Sequence, residues 1–263
     1  MSWPFETSDA YVVAERVVEM ERLRAGLSPE EWRLPSTLVA TFQRQAYERL
    51  LRRAGVQPGV PNLGRFGAAS DSATGVVDGV PVAVARISIG APAAAVVLEV
   101  AIARGVRNVL VVGSAGSLQP RLGLGSTVVV EGAEREDGTS HHYLPAGEVV
   151  AADPDLSAAL AESATARGVT VVRGRSWTID APYRETVGAI RRHREAGVCV
   201  VEMEAAAIFA VARVRGVRAG LIVAVSDELF GHEWNPGFQH ASYLDALLVA
   251  ADAVMDTAVR LRG

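Results

Sequence analysis

Three short stretches of this chain hold residues that could do chemistry on a small polar ligand. In Glu202-Met203-Glu204, two carboxylates stand two apart, directly after the apolar run Cys199-Val200-Val201. Carboxylates at a core edge need polar partners, and one carboxylate can accept from two neighbouring hydroxyls such as those of a sugar. The same pair could instead be first-turn acids that complement a helix dipole. In Ser226-Asp227-Glu228, an aspartate follows the apolar run Leu221 to Val225. A carboxyl at the end of a buried strand can be kept protonated by desolvation and act as a general acid. Its other use is to cap a following turn. In Gly113-Ser114-Ala115-Gly116-Ser117, after Val109 to Val112, small residues let backbone N–H groups approach an anion or a sugar, or make a tight turn. The spacing is not that of a dinucleotide fingerprint.

Ligands of open α/β sheets lie beyond the carboxyl ends of the strands, and all three stretches follow strand-like runs. Helical spacing covers Asp9 to Gly26, Thr37 to Ala54, Ala91 to Gly105, Asp153 to Gly168, Arg184 to Gly197, Glu202 to Gly216 and Ala241 to Leu261. Strand-like runs cover Asn108 to Val112, Thr127 to Val130, Val169 to Val172, Val198 to Val201 and Arg218 to Val225. Asp78-Gly79 has the form of a two-residue hairpin turn into a strand at Val82 to Ile87. Unbroken apolar strands alternating with helices predict one α/β domain over residues 1–263. Its centre is a largely parallel mixed sheet flanked by helices on both faces. Residues 1–60 read as a helical segment with no recognisable motif.

Composition narrows the function. The chain has 263 residues, 49% hydrophobic and 21% charged, with a net charge of -4. It has no block of like charge, which argues against nucleic acid or a membrane surface as partner. All 26 basic residues are arginine. A P-loop, a protein-kinase lysine and a Schiff-base lysine for pyridoxal phosphate are therefore excluded. The one cysteine, Cys199, allows no internal disulfide and no cysteine zinc site, and the pair His141-His142 is not a metal site by itself. Met1 to Glu21 lacks the pattern of a signal peptide, and no apolar run spans a bilayer, so a cytoplasmic location is expected.

Together the three stretches match a known pattern. Gly113-Ser114-Ala115-Gly116-Ser117-Leu118, Val201-Glu202-Met203-Glu204-Ala205-Ala206-Ala207 and Val225-Ser226-Asp227 resemble the nucleoside phosphorylase family. That family includes hexameric purine nucleoside phosphorylase, uridine phosphorylase and methylthioadenosine/adenosylhomocysteine nucleosidase. The similarity runs from about Gly79 to Asp227. It implies a pentosyltransferase that cleaves the N-glycosidic bond of a nucleoside, purine type favoured, to free base and ribose 1-phosphate. Inorganic phosphate would be the co-substrate, with no cofactor and no metal. Glu204 would bind the ribose hydroxyls, with Met203 packed on the sugar and Glu202 near the base or sugar. Asp227, oriented by Ser226, would give a proton to N7 of the base. Gly113 and Ser114 would lie near the phosphate or nucleophile. Relatives of this kind are dimers or hexamers, so a homo-oligomer is expected.

The chain also departs from the pattern. Val111 stands where phosphorylases carry a phosphate-gripping arginine, and their N-terminal Pro-Gly-Asp loop is missing. Arg135, Arg65 or Arg86 could replace the lost ligand, since arginine binds phosphate bidentately and stays charged. Pro182 stands where relatives have the base-stacking aromatic, so Tyr183 or Trp177 could stack on the base instead. Hydrolysis of the same bond is the alternative activity. A non-catalytic nucleoside binder is a third reading, opposed by the retention of both Glu204 and Asp227.

Overall fold

The computed structural model describes residues 5–56, 63, 68–147 and 149–261. Ten strands form one mixed sheet: β1 (Thr37–Thr41), β2 (Ala69–Val77), β3 (Val80–Ile87), β4 (Asn108–Ser117), β5 (Thr127–Glu136), β6 (Val150–Ala151), β7 (Val171–Ile179), β8 (Val200–Glu202), β9 (Arg218–Glu228) and β10 (Asn235–Pro236). Eight α-helices accompany them: α1 (Ala14–Ala25), α2 (Pro29–Trp32), α3 (Arg44–Ala54), α4 (Ala91–Ala103), α5 (Pro154–Ala166), α6 (Val187–Glu195), α7 (Ala205–Arg215) and α8 (Ala241–Arg260).

The sheet is buried on both faces because its strands are apolar on both. Along β4, Val109 and Val111 join one core cluster with α1, α4 and α7, while Leu110 and Val112 join a second with α3, α5 and α8. Alternating side chains thus feed two helical layers. Five of the described strand pairings are parallel (β1–β3, β1–β4, β4–β9, β5–β7, β7–β8) and five antiparallel. The pairings β4–β9, β9–β5, β5–β7, β7–β8 and β8–β4 close a ring, so half of the sheet curls into a barrel.

Local chemistry sets several boundaries. Asp78 and Gly79 both take positive φ, 47° and 80°, and join β2 to β3 in a two-residue turn. Asp153 accepts from the N–H of Leu156 at 2.9 Å, and Pro154 starts α5 without wasting a donor. Among the described residues, no helix is long and apolar enough to cross a membrane.

The sheet differs from the sequence reading at two kinds of place. Thr37 to Thr41 is a fully buried strand between β3 and β4, not the first turns of a helix, and the helix begins only at Arg44. The Leu38–Phe42 spacing suits a helix, but two parallel neighbours make the run Thr-Leu-Val-Ala-Thr a central strand. In addition, β4, β5, β7 and β9 run on past their apolar stretches, to Ser117, Glu136, Ile179 and Glu228. The motifs Gly113–Ser117 and Ser226-Asp227 therefore lie within strands rather than in loops after them.

Candidate active site

Where β4, β8 and β9 end together, a cavity of about 900 Å³ opens. Ser114, Ala115 and Gly116 of β4, Val201 to Glu204 after β8, and Ser226 and Asp227 of β9 lie on its wall. The turn after β1 adds Phe42 and Gln43, α6 adds Ile190, Arg191 and Arg194, and the segment after β9 adds Phe230 to Trp234.

Registration of β4 against β9 aims the acid. Ala115 faces Val225 and Gly116 faces Asp227, so Ser226 is an extra residue and the ladder shifts there. A bulge of this kind redirects side chains, and both Ser226 and Asp227 reach the cavity. Ser226 Oγ donates to Asp227 Oδ1 at 2.7 Å, and Trp234 Nε1 donates to Oδ2 at 2.8 Å. Gly116 leaves room for the carboxyl. A Cβ there would lie 3.1 Å from Asp227 Oδ2 and collide with Leu229.

The two glutamates after β8 are held very differently. Glu202 is saturated by the protein. Its Oε1 accepts from Thr178 and Ser176 hydroxyls, and its Oε2 from the N–H groups of Glu204 and Ala205 at 2.8 and 2.6 Å. It serves the N-terminus of α7, whose free N–H groups need acceptors. Burial pushes its carboxyl upward, and the four donors partly oppose this. Glu204 is 6% exposed, and its Oε1 accepts from the N–H of Gly90 at 2.6 Å. Gly90 sits at φ +111°, a conformation reserved for glycine, which lets that N–H start α4 and face the glutamate. Burial, with the charge of Glu202 next, pushes the Glu204 carboxyl up to about 8. Half-buried Met203 lies on the wall between them.

Ser114 is met by Gln43, whose Nε2 donates to its Oγ at 2.8 Å. Buried Tyr243 of α8 also interacts with this hydroxyl. Gly113 lies one residue below the wall, where an added Cβ would touch the Phe42 ring at 3.5 Å, and so acts through packing. Tyr183 is fully exposed on the rim.

Other predicted residues lie elsewhere. Trp177 is 0% exposed and is not on the cavity wall. It packs with Leu118, Val198 and Val201, stacks on His193 at 4.3 Å between centroids, and donates to Glu136 at 3.0 Å. An indole so enclosed cannot stack on a ligand. Arg86 is paired with Asp71 of the neighbouring strand at 2.7 Å. Arg135 donates to the carbonyls of Ser140, Leu144 and Pro145 and to Ser140 Oγ, and so ties together the loop after β5. Neither guanidinium is on the wall. Arg65 lies outside the described residues. Among the described residues no group of three metal-ligating side chains comes together.

Sequence reasoning missed Gln43, Glu185, Arg191, Arg194 and Trp234. Gln43 follows the strand that was read as helix. Glu185 lines the cavity near Asp227, and burial together with the aspartate charge pushes its carboxyl up to about 7. For Trp234 the signal was present, a lone tryptophan seven residues beyond the aspartate in a polar turn.

Residues 38–258 match the family model of the phosphorylase superfamily. The chain belongs to the phosphorylase superfamily. A uridine phosphorylase of Thermococcus kodakarensis is 32% identical to it over 197 residues, 69% of each chain. A guanosine phosphorylase of Halorubrum lacusprofundi is 34% identical over 58% of this chain and 63% of its own. The match to these curated relatives thus spans about two thirds of their length. A purine nucleoside phosphorylase of Toxoplasma gondii, solved in complex with immucillin-H, shares the fold. Its TM-score is 0.77, with 22% identity over 89% of this chain and 93% of that one. This superfamily member is thus an enzyme of the nucleoside phosphorylase type, in the pentosyltransferase class. The relatives' names divide between uridine, guanosine and purine nucleosides, so membership alone does not choose the base.

Proposed function

We propose that this superfamily member cleaves the N-glycosidic bond of a purine nucleoside by phosphorolysis. The observation that carries the reading is that Glu204 and Asp227 stand on the wall of one cavity, Glu204 with one carboxyl oxygen held by Gly90 and Asp227 with both held, by Ser226 and Trp234. Glu204 keeps one oxygen for Gly90 and offers the other to ribose hydroxyls. Those hydroxyls favour its ionised form, against the burial that keeps it protonated. Asp227 faces the base. A phosphate oxygen attacks C1′, the C1′–N9 bond breaks, and its electron pair enters the purine as the proton of Asp227 passes to N7. Such proton transfer contributes roughly 10²–10⁴-fold. Uracil has no N7, so a carboxyl at this position favours a purine. Gln43 and Ser114 offer an amide and a hydroxyl to the nucleophile, and inorganic phosphate is the co-substrate.

One observation favours a second reading, hydrolysis of the same bond. Among the described residues, the only arginines on the wall are Arg191 and Arg194 of α6, and Val111 stands where the resemblance implies an arginine. A neutral amide–hydroxyl pair suits water as well as phosphate. Assays with inosine, guanosine and uridine, with and without phosphate, separate the readings. Phosphate-dependent release of hypoxanthine or guanine and formation of ribose 1-phosphate are expected. Equal release without phosphate would establish the hydrolase, and turnover of uridine alone would refute the purine assignment. Exposed apolar residues Ile89, Tyr183 and Val187 on the rim support a homo-oligomer with the cavity near a subunit boundary.

A further inference from the structure

Both oxygens of Asp227 accept hydrogen bonds, and the second donor comes from an unexpected place. Residues 229–234 turn back on β9, and β10 pins the return. Asn235 pairs with Glu228 and Pro236 with Asp227. The Gly237 N–H donates to the Ser226 carbonyl at 2.9 Å, and Asn235 Nδ2 donates to Glu228 Oε2 at 2.9 Å. Gly237 has no space for a side chain, since a Cβ would meet Leu124 and lie 2.9 Å from the Ser226 carbonyl. This hairpin delivers the Trp234 N–H to Asp227 Oδ2. The indole is 57% exposed, so burial of its ring does not explain the placement.

We propose that Trp234 is the positioning residue for the general acid: its indole N–H, with the Ser226 hydroxyl, fixes the Asp227 carboxyl so that Oδ2 faces N7 of the purine. This inference rests on the reading of Asp227 as proton donor to a purine. An indole N–H only donates, so Trp234 neither supplies nor receives the transferred proton. Both carboxyl oxygens are held, Oδ1 by Ser226 and Oδ2 by Trp234, and in this assignment Oδ2 also carries the transferred proton. As the C1′–N9 bond breaks, its electron pair enters the ring, the proton moves to N7, and a full negative charge appears on Asp227. Hydrogen bonds to a charged acceptor are stronger than neutral ones, so both donors gain strength during the step. Orientation and charge stabilisation come from the same two contacts.

The test uses two substrates that differ in their need for the proton. Inosine requires protonation at N7. 7-Methylguanosine already carries positive charge on its imidazole ring, and its base departs without an acid. Trp234→Phe keeps an aromatic ring and loses the N–H. Its kcat on inosine is expected to fall roughly tenfold to a hundredfold, the worth of one hydrogen bond to a charged group, with KM changed less than about threefold. On 7-methylguanosine it is expected to stay within about twofold of the wild type, because that substrate bypasses the acid. Unchanged inosine turnover, an effect on KM alone, or equal loss on both substrates would overturn the assignment; equal loss would mean that the hairpin acts only by shape. Asp227→Asn, run alongside, separates the two layers of the argument. If it turns over inosine at the wild-type rate, the acid itself is misassigned. If it is slow on inosine while Trp234→Phe is not, only the role of Trp234 falls.

Discussion

Glu204→Gln is expected to make the protein more stable at alkaline pH while crippling its action on nucleosides. Burial and the charge of Glu202 push the Glu204 carboxyl from its ordinary 4.5 to about 8. The unfolded chain restores the ordinary value. Between the two values the folded protein holds a proton that the unfolded chain has already lost, so stability falls as pH rises. At about 1.4 kcal/mol per pH unit, the cost is absent below about pH 4.5 and reaches about 3.4 kcal/mol at pH 7. Above pH 8 it levels off at an upper limit of about 5 kcal/mol. Glutamine keeps an acceptor for the Gly90 N–H and is uncharged at every pH. Wild type and variant should therefore melt within a few degrees of each other near pH 5. The gap should widen to on the order of 10 °C by pH 9, at roughly 2–4 °C per kcal/mol for a chain of this size. Thermal melts followed by circular dichroism from pH 5 to 9 measure it, and subtracting the curves leaves the titration of Glu204 together with its coupling to Glu202. A gap that does not change with pH, or a variant that melts lower at pH 9, would refute the reasoning. The same carboxyl must ionise to grip two ribose hydroxyls, so the wild-type KM for nucleoside is expected to fall from pH 6 to 8.

Other substitutions test other parts of the site. Asp227→Asn should lower kcat on inosine by about 10²–10⁴-fold with little change in KM, and steady-state kinetics near the wild-type rate would remove it as the acid. Gly116→Ala puts a methyl group 3.1 Å from Asp227 Oδ2 and into Leu229. It should cost about 1–3 kcal/mol in denaturant melts and at least about tenfold in kcat, and a fully active variant would show that the acid need not approach β4 so closely. Arg135→Ala should lower the melting temperature by releasing the loop it ties together, while the KM for phosphate stays within about twofold. A large rise in that KM would return Arg135 to the anion site.

Sequence patterns carried the site's chemistry further than its surroundings. The shared cavity wall of Glu204, Asp227 and Ser114 was legible because each follows an apolar run and belongs to a specific motif, and strand ends of one sheet converge. The same patterns could not tell that Glu202 is spent on the start of α7, because that depends on Ser176 and Thr178 arriving from β7. Trp177 suggested a stacking aromatic because it lies near Pro182, which takes the place of the family's aromatic, yet in β7 it is enclosed and stacks on His193. Arg86 and Arg135 were candidates as bidentate phosphate binders near strands leading to the site, and their partners Asp71 and Ser140 are set by strand pairing and loop folding. β1 was misread because Leu38 and Phe42 stand four apart, in line with the helix that follows, and only the two parallel neighbours make Thr37 to Thr41 a strand. The Trp234 contact depends on a two-residue strand, shorter than any periodicity can reveal.

The ring of pairings β4–β9–β5–β7–β8 leaves none of its members a free long edge. Shifting the strand that bears Asp227 or the one that leads to Glu204 would tear ladders on two sides at once. The wall of the cavity formed by these strands is therefore hard for mutation to reshape. The turn at 182–185 belongs to no strand of the ring and can vary without disturbing it, whereas the hairpin of residues 229–234 is tied to β9 through β10 and Trp234. Variation tolerated by such a molecule is therefore expected to gather at the turn of residues 182–185 rather than in the ring.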